Sequence, residues 1–270
     1  MRRADLVPLA LLIGLAGIVG TLTLRTPRPP RATPAALVAD SAATRVESSS
    51  PLRARPPVEP RHRFGDVNLE TRQSALAAPD FDPEDVRRRM SYGAAGTYIV
   101  PMVEEDSGLA RWPERPFDPI RVWVEPASSL PDWSPDYVAT AREAVARWRE
   151  AGIPVRVNFL VDSAGAEVRV LWTDRFPDTR IGSTRRIRDQ HWWLLAADVT
   201  LAVHGSDGAP LDSAVVRATA IHEVGHLFGL NHSPDTTDVM APRHHGIHDP
   251  SPADLATMRL LYSLPPGRLR

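Results

Sequence analysis

Residues 214–230 read AVVRATAIHEVGHLFGL and are followed at once by Asn231 and His232. Two histidines four apart on a helix, His222 and His226, project from one face and can bind one ion. Glu223 adjoins the first, placed to reach a water on that ion. Gly229 stands where the helix must end sharply, because a residue without Cβ takes the positive φ of a C-terminal turn. That turn swings His232 round as a third ligand. Three neutral imidazoles leave a fourth tetrahedral position open to water, as in catalytic zinc sites, whereas structural sites are closed. The chemistry implied is zinc-assisted hydrolysis with Glu223 as the catalytic base. At about one in twenty per fixed residue, five fixed positions in eleven have odds on the order of one in a million at any start. Bystander histidines do not explain the pattern.

These residues need a frame. Alternation marks residues 120–125 (IRVWVE) as a strand, with 155–161 (VRVNFLV) and 167–172 (EVRVLW) as two more, separated by a turn at 162–165. Residues 181–188 and 194–203 look like a further pair. Between the first two strands, residues 135–151 place Val138, Ala141, Ala144, Val145 and Trp148 on one helical face. Ser134 is the candidate N-cap, Pro135 the first turn and Gly152 the stop. The order is α/β with a mixed sheet. Its second strand pairs in parallel across the helix, and later hairpins add antiparallel edges. Order is expected to begin near Gly96, with residues 97–100 extended and a short helix possible at 83–90.

The motif from His222 to His232 resembles the metzincin metallopeptidases. Ser233 directly after the third histidine, and Met240 within VMAP eight residues beyond it, resemble the matrixin (matrix-metalloprotease-like) branch, bacterial type. The resemblance spans about residues 119–265 and is most specific in the last 50. It implies a zincin fold of the α/β (α+β) class. Its parts would be a twisted mixed five-stranded sheet, an active-site helix, a Met-turn and a C-terminal helix from Ser251 to Tyr262. It further implies a metalloendopeptidase holding Zn2+ on His222, His226 and His232. Gly229 and Met240 would be supporting residues, Met240 forming a hydrophobic floor under the ligands. A polypeptide substrate would lie extended along an exposed edge strand within 181–188, gaining main-chain hydrogen bonds. The loop carrying His244, His245 and His248 would wall a substrate pocket; as a second metal site it lacks fixed ligand spacing.

The chain departs from that pattern in two respects. It has no cysteine, so latency through an inhibitory thiol is excluded, as are disulfides and a lipid anchor on Cys. Ligands for a structural zinc are not evident, since only His191 and His204 fall in the relevant region. Ca2+ stays open; Asp174, Asp178, Asp207 and Asp212 read as turn formers and caps.

Composition sets the remaining bounds. Net charge is −1 over 270 residues, with no Lys among 32 basic residues, which reads as the codon bias of a GC-rich bacterium. Residues 1–63 carry ten Arg against four acids, and the remainder 22 against 29, so a basic leader precedes an acidic body and no nucleic-acid partner is implied. Residues 6–24 are uncharged behind a basic head, long enough to cross a bilayer. Residues 1–25 are thus a signal peptide or an N-terminal membrane anchor, and either puts the rest outside the cytoplasmic membrane, secreted or tethered. Residues 26–95, Pro-, Arg- and Ala-rich, form an expected disordered linker, and residues 96–265 the catalytic domain. The competing reading is a non-catalytic, membrane-anchored zinc protein that binds peptides or cell wall. Glu223 argues against it, because a pure binding site needs no base.

Overall fold

The computed structural model describes residues 62–65, 67–243 and 245–270. The elements are β1 (Asn68–Thr71), α1 (Pro83–Gly93), α2 (Ile99–Asp106), β2 (Gly108–Leu109), β3 (Ile120–Val124), α3 (Asp136–Arg149), β4 (Val157–Phe159), β5 (Val168–Thr173), β6 (Gly182–Arg188), β7 (Leu194–Ala202), α4 (Ser213–Leu227), α5 (Pro252–Ser263) and β8 (Gly267–Arg268). The expected leader at 6–24 and most of the expected linker lie outside the described residues. No described helix is long and apolar enough to cross a membrane.

Six strands form one mixed sheet in the order β1-β6-β7-β5-β3-β4. Alternation does what the period-two pattern requires. Ile120, Val122 and Val124 of β3 are buried, as are Val168, Val170 and Trp172 of β5 and Ala197, Val199 and Leu201 of β7. β3 pairs in parallel with β4 across the α3 crossover, as expected, and in parallel with β5 on its other side. β4 and β5 are therefore not neighbours, and the apparent hairpin at 162–165 is a connection that passes over β3. β6 and β7 are antiparallel, and β7 inserts between β6 and β5, so that it runs parallel to β5. The turn joining β6 to β7 is pinned by buried Asp189, whose Oδ1 accepts from the amides of His191 (2.8 Å) and Trp193 (2.9 Å).

Four expectations change. The sheet has six strands instead of five, because β1 pairs in parallel along β6. The supposed linker is built into the domain from His62 onward, with α1 capped by Asp82 and Val86 buried. Residues 99–106 are helical, since Ile99, Met102 and Val103 bury one face at helical spacing. The domain also runs past 265: β8 pairs with β2, and Leu269 is buried.

α3 and α4 pack together beneath the sheet, α3 against β3 and α4 against β6 and β7. α3 buries Tyr137, Ala141, Ala144, Val145 and Trp148, close to the expected face, and Ser134 Oγ accepts from the Asp136 amide (3.2 Å). α4 is apolar nearly all round and buried along most of its length, capped by Asp212. α5 begins with a full capping box between Ser251 and Asp254.

Candidate metal centre

α4 presents His222 and His226 one turn apart and then ends in a Schellman turn. The Leu230 amide donates to Gly225 O (3.1 Å) and the Gly229 amide to His226 O (2.9 Å). Gly229 has φ +111°, and a Cβ there would sit 2.5 Å from Ala110 O, so both conformation and space demand glycine. The turn carries His232 back to the helix. The three rings have centroids 4.6, 4.9 and 5.3 Å apart, and one ligating atom from each falls within 4.8 Å of the others.

The tautomers follow from the backbone. His222 Nδ1 lies 2.7 Å from Val239 O and His226 Nδ1 2.8 Å from Leu230 O. A carbonyl can only accept, so each Nδ1 carries the proton and each Nε2 keeps its lone pair. His226 Nε2 has no hydrogen-bond partner among the described residues. Burial, then the neighbouring His222 and His232, push the His226 pKa well down and keep it neutral. A convergent set of three imidazoles, two buried and one half-buried, fits a zinc ion. Among the described residues it is the only group of three or more such side chains placed to hold a metal.

Glu223 is fully buried. Thr184 Oγ1 on β6 donates to its Oε2 (2.6 Å), while Oε1 has no hydrogen-bond partner among the described residues. Burial pushes the Glu223 pKa up to about 8, against the opposing Thr184 hydrogen bond. The inward face of β6 makes room for it. A Cβ on Gly182 would lie 2.5 Å from Glu223 Oε1, so the strand above the carboxylate must be bare. Arg186, also fully buried on β6, donates to Asn231 Oδ1 (2.8 Å) beside His232.

Met240 is fully buried beneath α4. A Cβ on Gly225 would strike its Sδ at 2.3 Å and Trp148 at 2.7 Å, so the glycine between the two histidines lets the floor close. The Ser233 amide donates to Met240 O (2.9 Å), and Ser233 Oγ donates to Asp238. Asp254 of α5 accepts from the Val239 amide (2.9 Å) and from Tyr98 OH (2.9 Å), tying the Met-turn to the C-terminal helix. Thr184, Gly182, Gly225, Arg186 and Asp254 escaped the sequence reading. Only the β6 register could have marked the strand residues.

Among the described residues, the aspartates that the sequence offered as ion ligands have other partners. Asp178 and Asp207 accept from amides two residues on, and Asp212 caps α4. Asp174 instead pairs with His204 Nδ1 (2.8 Å), whose Nε2 meets Asp132 (3.0 Å). The Asp132 hydrogen bond leads in raising the His204 pKa. His245 is exposed and His248 half-buried in the loop after the Met-turn. His244 lies outside the described residues.

This geometry defines a zincin-type metallopeptidase. Residues 139–263 match the family described as Matrixin, peptidase M10. The match supports a matrixin-like metzincin domain with metalloendopeptidase activity, for which zinc is the implied metal. No curated protein matches the sequence. Among solved structures the chain is similar to one titled "GM1 bound form of the ECX AB5 holotoxin", at 16% identity over 62% of this chain and 92% of that one, with a TM-score of 0.40. Nothing about this chain's chemistry follows from that likeness.

Proposed function

We propose that the domain cleaves internal bonds of extended polypeptides outside the cytoplasmic membrane, with Glu223 as general base. The observation that carries this reading is the Glu223 carboxylate, buried beside three convergent imidazoles with one oxygen held by Thr184 and the other left for a proton. A zinc ion on His222, His226 and His232 would lower the pKa of a water toward ~7 and polarise the scissile carbonyl. Glu223 Oε1 takes a proton from the attacking water and returns it to the leaving nitrogen. A binding protein would have no use for that carboxylate. β6 is not the exposed edge the sequence suggested, since β1 pairs along it; an extended substrate would add to β6 in the place β1 occupies. The basic head and uncharged run at residues 6–24 support export, with or without a retained tether.

Replacing Glu223 by Ala should lower kcat by about 10²–10⁴-fold while zinc stays bound. Zinc content and cleavage of a casein-like substrate test this, on intact chain and on chain nicked ahead of the domain. A hydroxamate should inhibit the wild type. Glu223→Ala protein that cleaves at the wild-type rate would overturn the assignment.

A further inference from the structure

A second concave region lies at the end of β6 farther from Glu223. Two cavities adjoin there, one of about 530 Å3 and one of about 250 Å3, with Gln190, Trp192 and Arg268 in the walls of both. Thr184, which holds Glu223, and Arg188, which lines the larger cavity, stand four positions apart on β6. At ~3.3 Å per residue that is about 13 Å along the strand.

The turn joining β6 to β7 builds the shared wall. Trp192 has φ +70°, a left-handed conformation that glycine adopts freely and a bulky residue does not. Asp189 holds the turn in that shape: its Oδ1 accepts from the amides on either side of Trp192, and its carbonyl from the Trp192 amide (3.2 Å). The indole then lies under the Arg188 guanidinium, 3.9 Å from the ring centre, and against Gly108, where a Cβ would strike it at 2.8 Å. Strain of this kind is characteristic of binding sites.

The larger cavity is cationic. Neither Arg188 nor Arg268 pairs with an aspartate or glutamate among the described residues; Arg188 donates to Asp189 O (3.0 Å) and Arg268 to Arg270 O. Arg188 Nε is buried with no hydrogen-bond partner among the described residues, a cost that an incoming acceptor relieves. Burial, and in smaller part the charge of Arg268, press on the Arg188 guanidinium, against Asp106 and Asp189. Both acids have other work. Asp106 meets buried Arg186 (3.4 Å), and the Asp189 carboxylate takes three hydrogen bonds within and beside the turn. The smaller cavity is more apolar, with Pro79, Phe81, Trp192 and Pro266 in its wall.

We infer that this pair of cavities docks an acidic residue and an adjoining apolar residue of the polypeptide substrate, about four residues from the bond cleaved; this rests on the endopeptidase reading. The carboxylate sits between Arg188 and Arg268, and the apolar side chain packs on Trp192. Two observations select that occupant. A cationic and an apolar cavity share one wall, so a ligand spanning them presents both characters at neighbouring positions. The site also continues the line of β6, along which an extended substrate would add.

The test uses the zinc-loaded full chain and quenched fluorescent peptides carrying Leu-Glu about four residues from the cleaved bond on either side, with Leu-Gln and Ala-Glu twins. Affinity for the same peptides is read by anisotropy on Glu223→Ala protein, where cleavage does not intervene. Wild type should favour Leu-Glu over Leu-Gln by about tenfold in kcat/KM, mostly through KM, and added salt should shrink the preference. Arg268→Gln, at an exposed side chain, should bring that ratio close to one. Trp192→Gly, which relieves the backbone, should abolish the preference for Leu over Ala. Both ratios are taken within one protein and so do not depend on a variant's overall activity. A wild-type Glu-to-Gln ratio near one, or a ratio unaltered by Arg268→Gln, would overturn the docking site. A gain confined to peptides ending in a free carboxylate would overturn it in favour of chain-end capture. Glu-selective binding that Arg268→Gln abolishes, with no peptide cleaved by the wild type, would uphold the site and overturn the endopeptidase reading.

Discussion

Glu223 depends on a side chain 39 positions away. Thr184 Oγ1 holds one carboxylate oxygen at 2.6 Å and lies within 3.1 Å of the Glu223 carbonyl, so it fixes where the other oxygen points. Valine matches threonine in shape and cannot donate. Thr184→Val should therefore keep zinc stoichiometry and KM while kcat falls about 10–100-fold, the usual effect of losing a group that orients a catalytic ligand or base. Metal analysis beside steady-state kinetics decides it; full kcat in the variant would show that Thr184 only fills space. The ligands and Glu223 were legible in the sequence because one helix and one turn set their spacing. Thr184, Gly182 and Gly225 were not, because each owes its identity to an atom brought near by sheet register or helix packing. Gly225 has no local reason to be glycine until Met240 Sδ occupies the place of its Cβ.

At the scale of elements, α4 must end inside the protein, and buried helix ends leave carbonyls without partners. Two are met by aromatic donors from distant segments: Trp112 Nε1 donates to Leu227 O (2.9 Å) and Tyr262 OH of α5 to Phe228 O (3.0 Å). Tyr262→Phe keeps the ring and strands the Phe228 carbonyl, which should cost about 1–3 kcal/mol. In urea the midpoint should fall at unchanged m, and zinc affinity should weaken, since this is the turn that delivers His232. An unaltered midpoint would mean water replaces the hydroxyl. α4, α5 and the α3 crossover were readable, since caps and periodicity are local. β6 was readable despite Gly182, Thr184 and Arg186 on its inner face, a pattern that makes sense only beneath an active-site helix. β1 was hidden: Asn68–Thr71 carries no strand signal of its own and exists because β6 offers it an edge.

Arginine is the only basic partner besides histidine, and several of its pairs hold carboxylates on or beside the strands of the sheet. Glu167 is the most enclosed example. It takes a bidentate pair from Arg115 (2.6 and 2.9 Å) and the Arg121 amide (3.0 Å), with 13% of its side chain exposed. Burial alone would raise its pKa; the Arg115 hydrogen bonds and the Arg121 amide outweigh burial and hold it below the ordinary 4.5. Between that lowered value and 4.5 the unfolded chain binds a proton that the folded chain refuses. The stability from this group is thus complete above about pH 4.5 and drains as pH falls through the folded value. Asp198, clasped by Arg169 and Arg185, is shifted in the same direction. Glu167→Gln should be less stable than wild type at neutral pH, and the gap should close on acidification, because the variant has no proton to take up there. Urea midpoints from neutrality down to about pH 3 measure it. A gap that stays constant across that range would place the loss in packing and not in the charge.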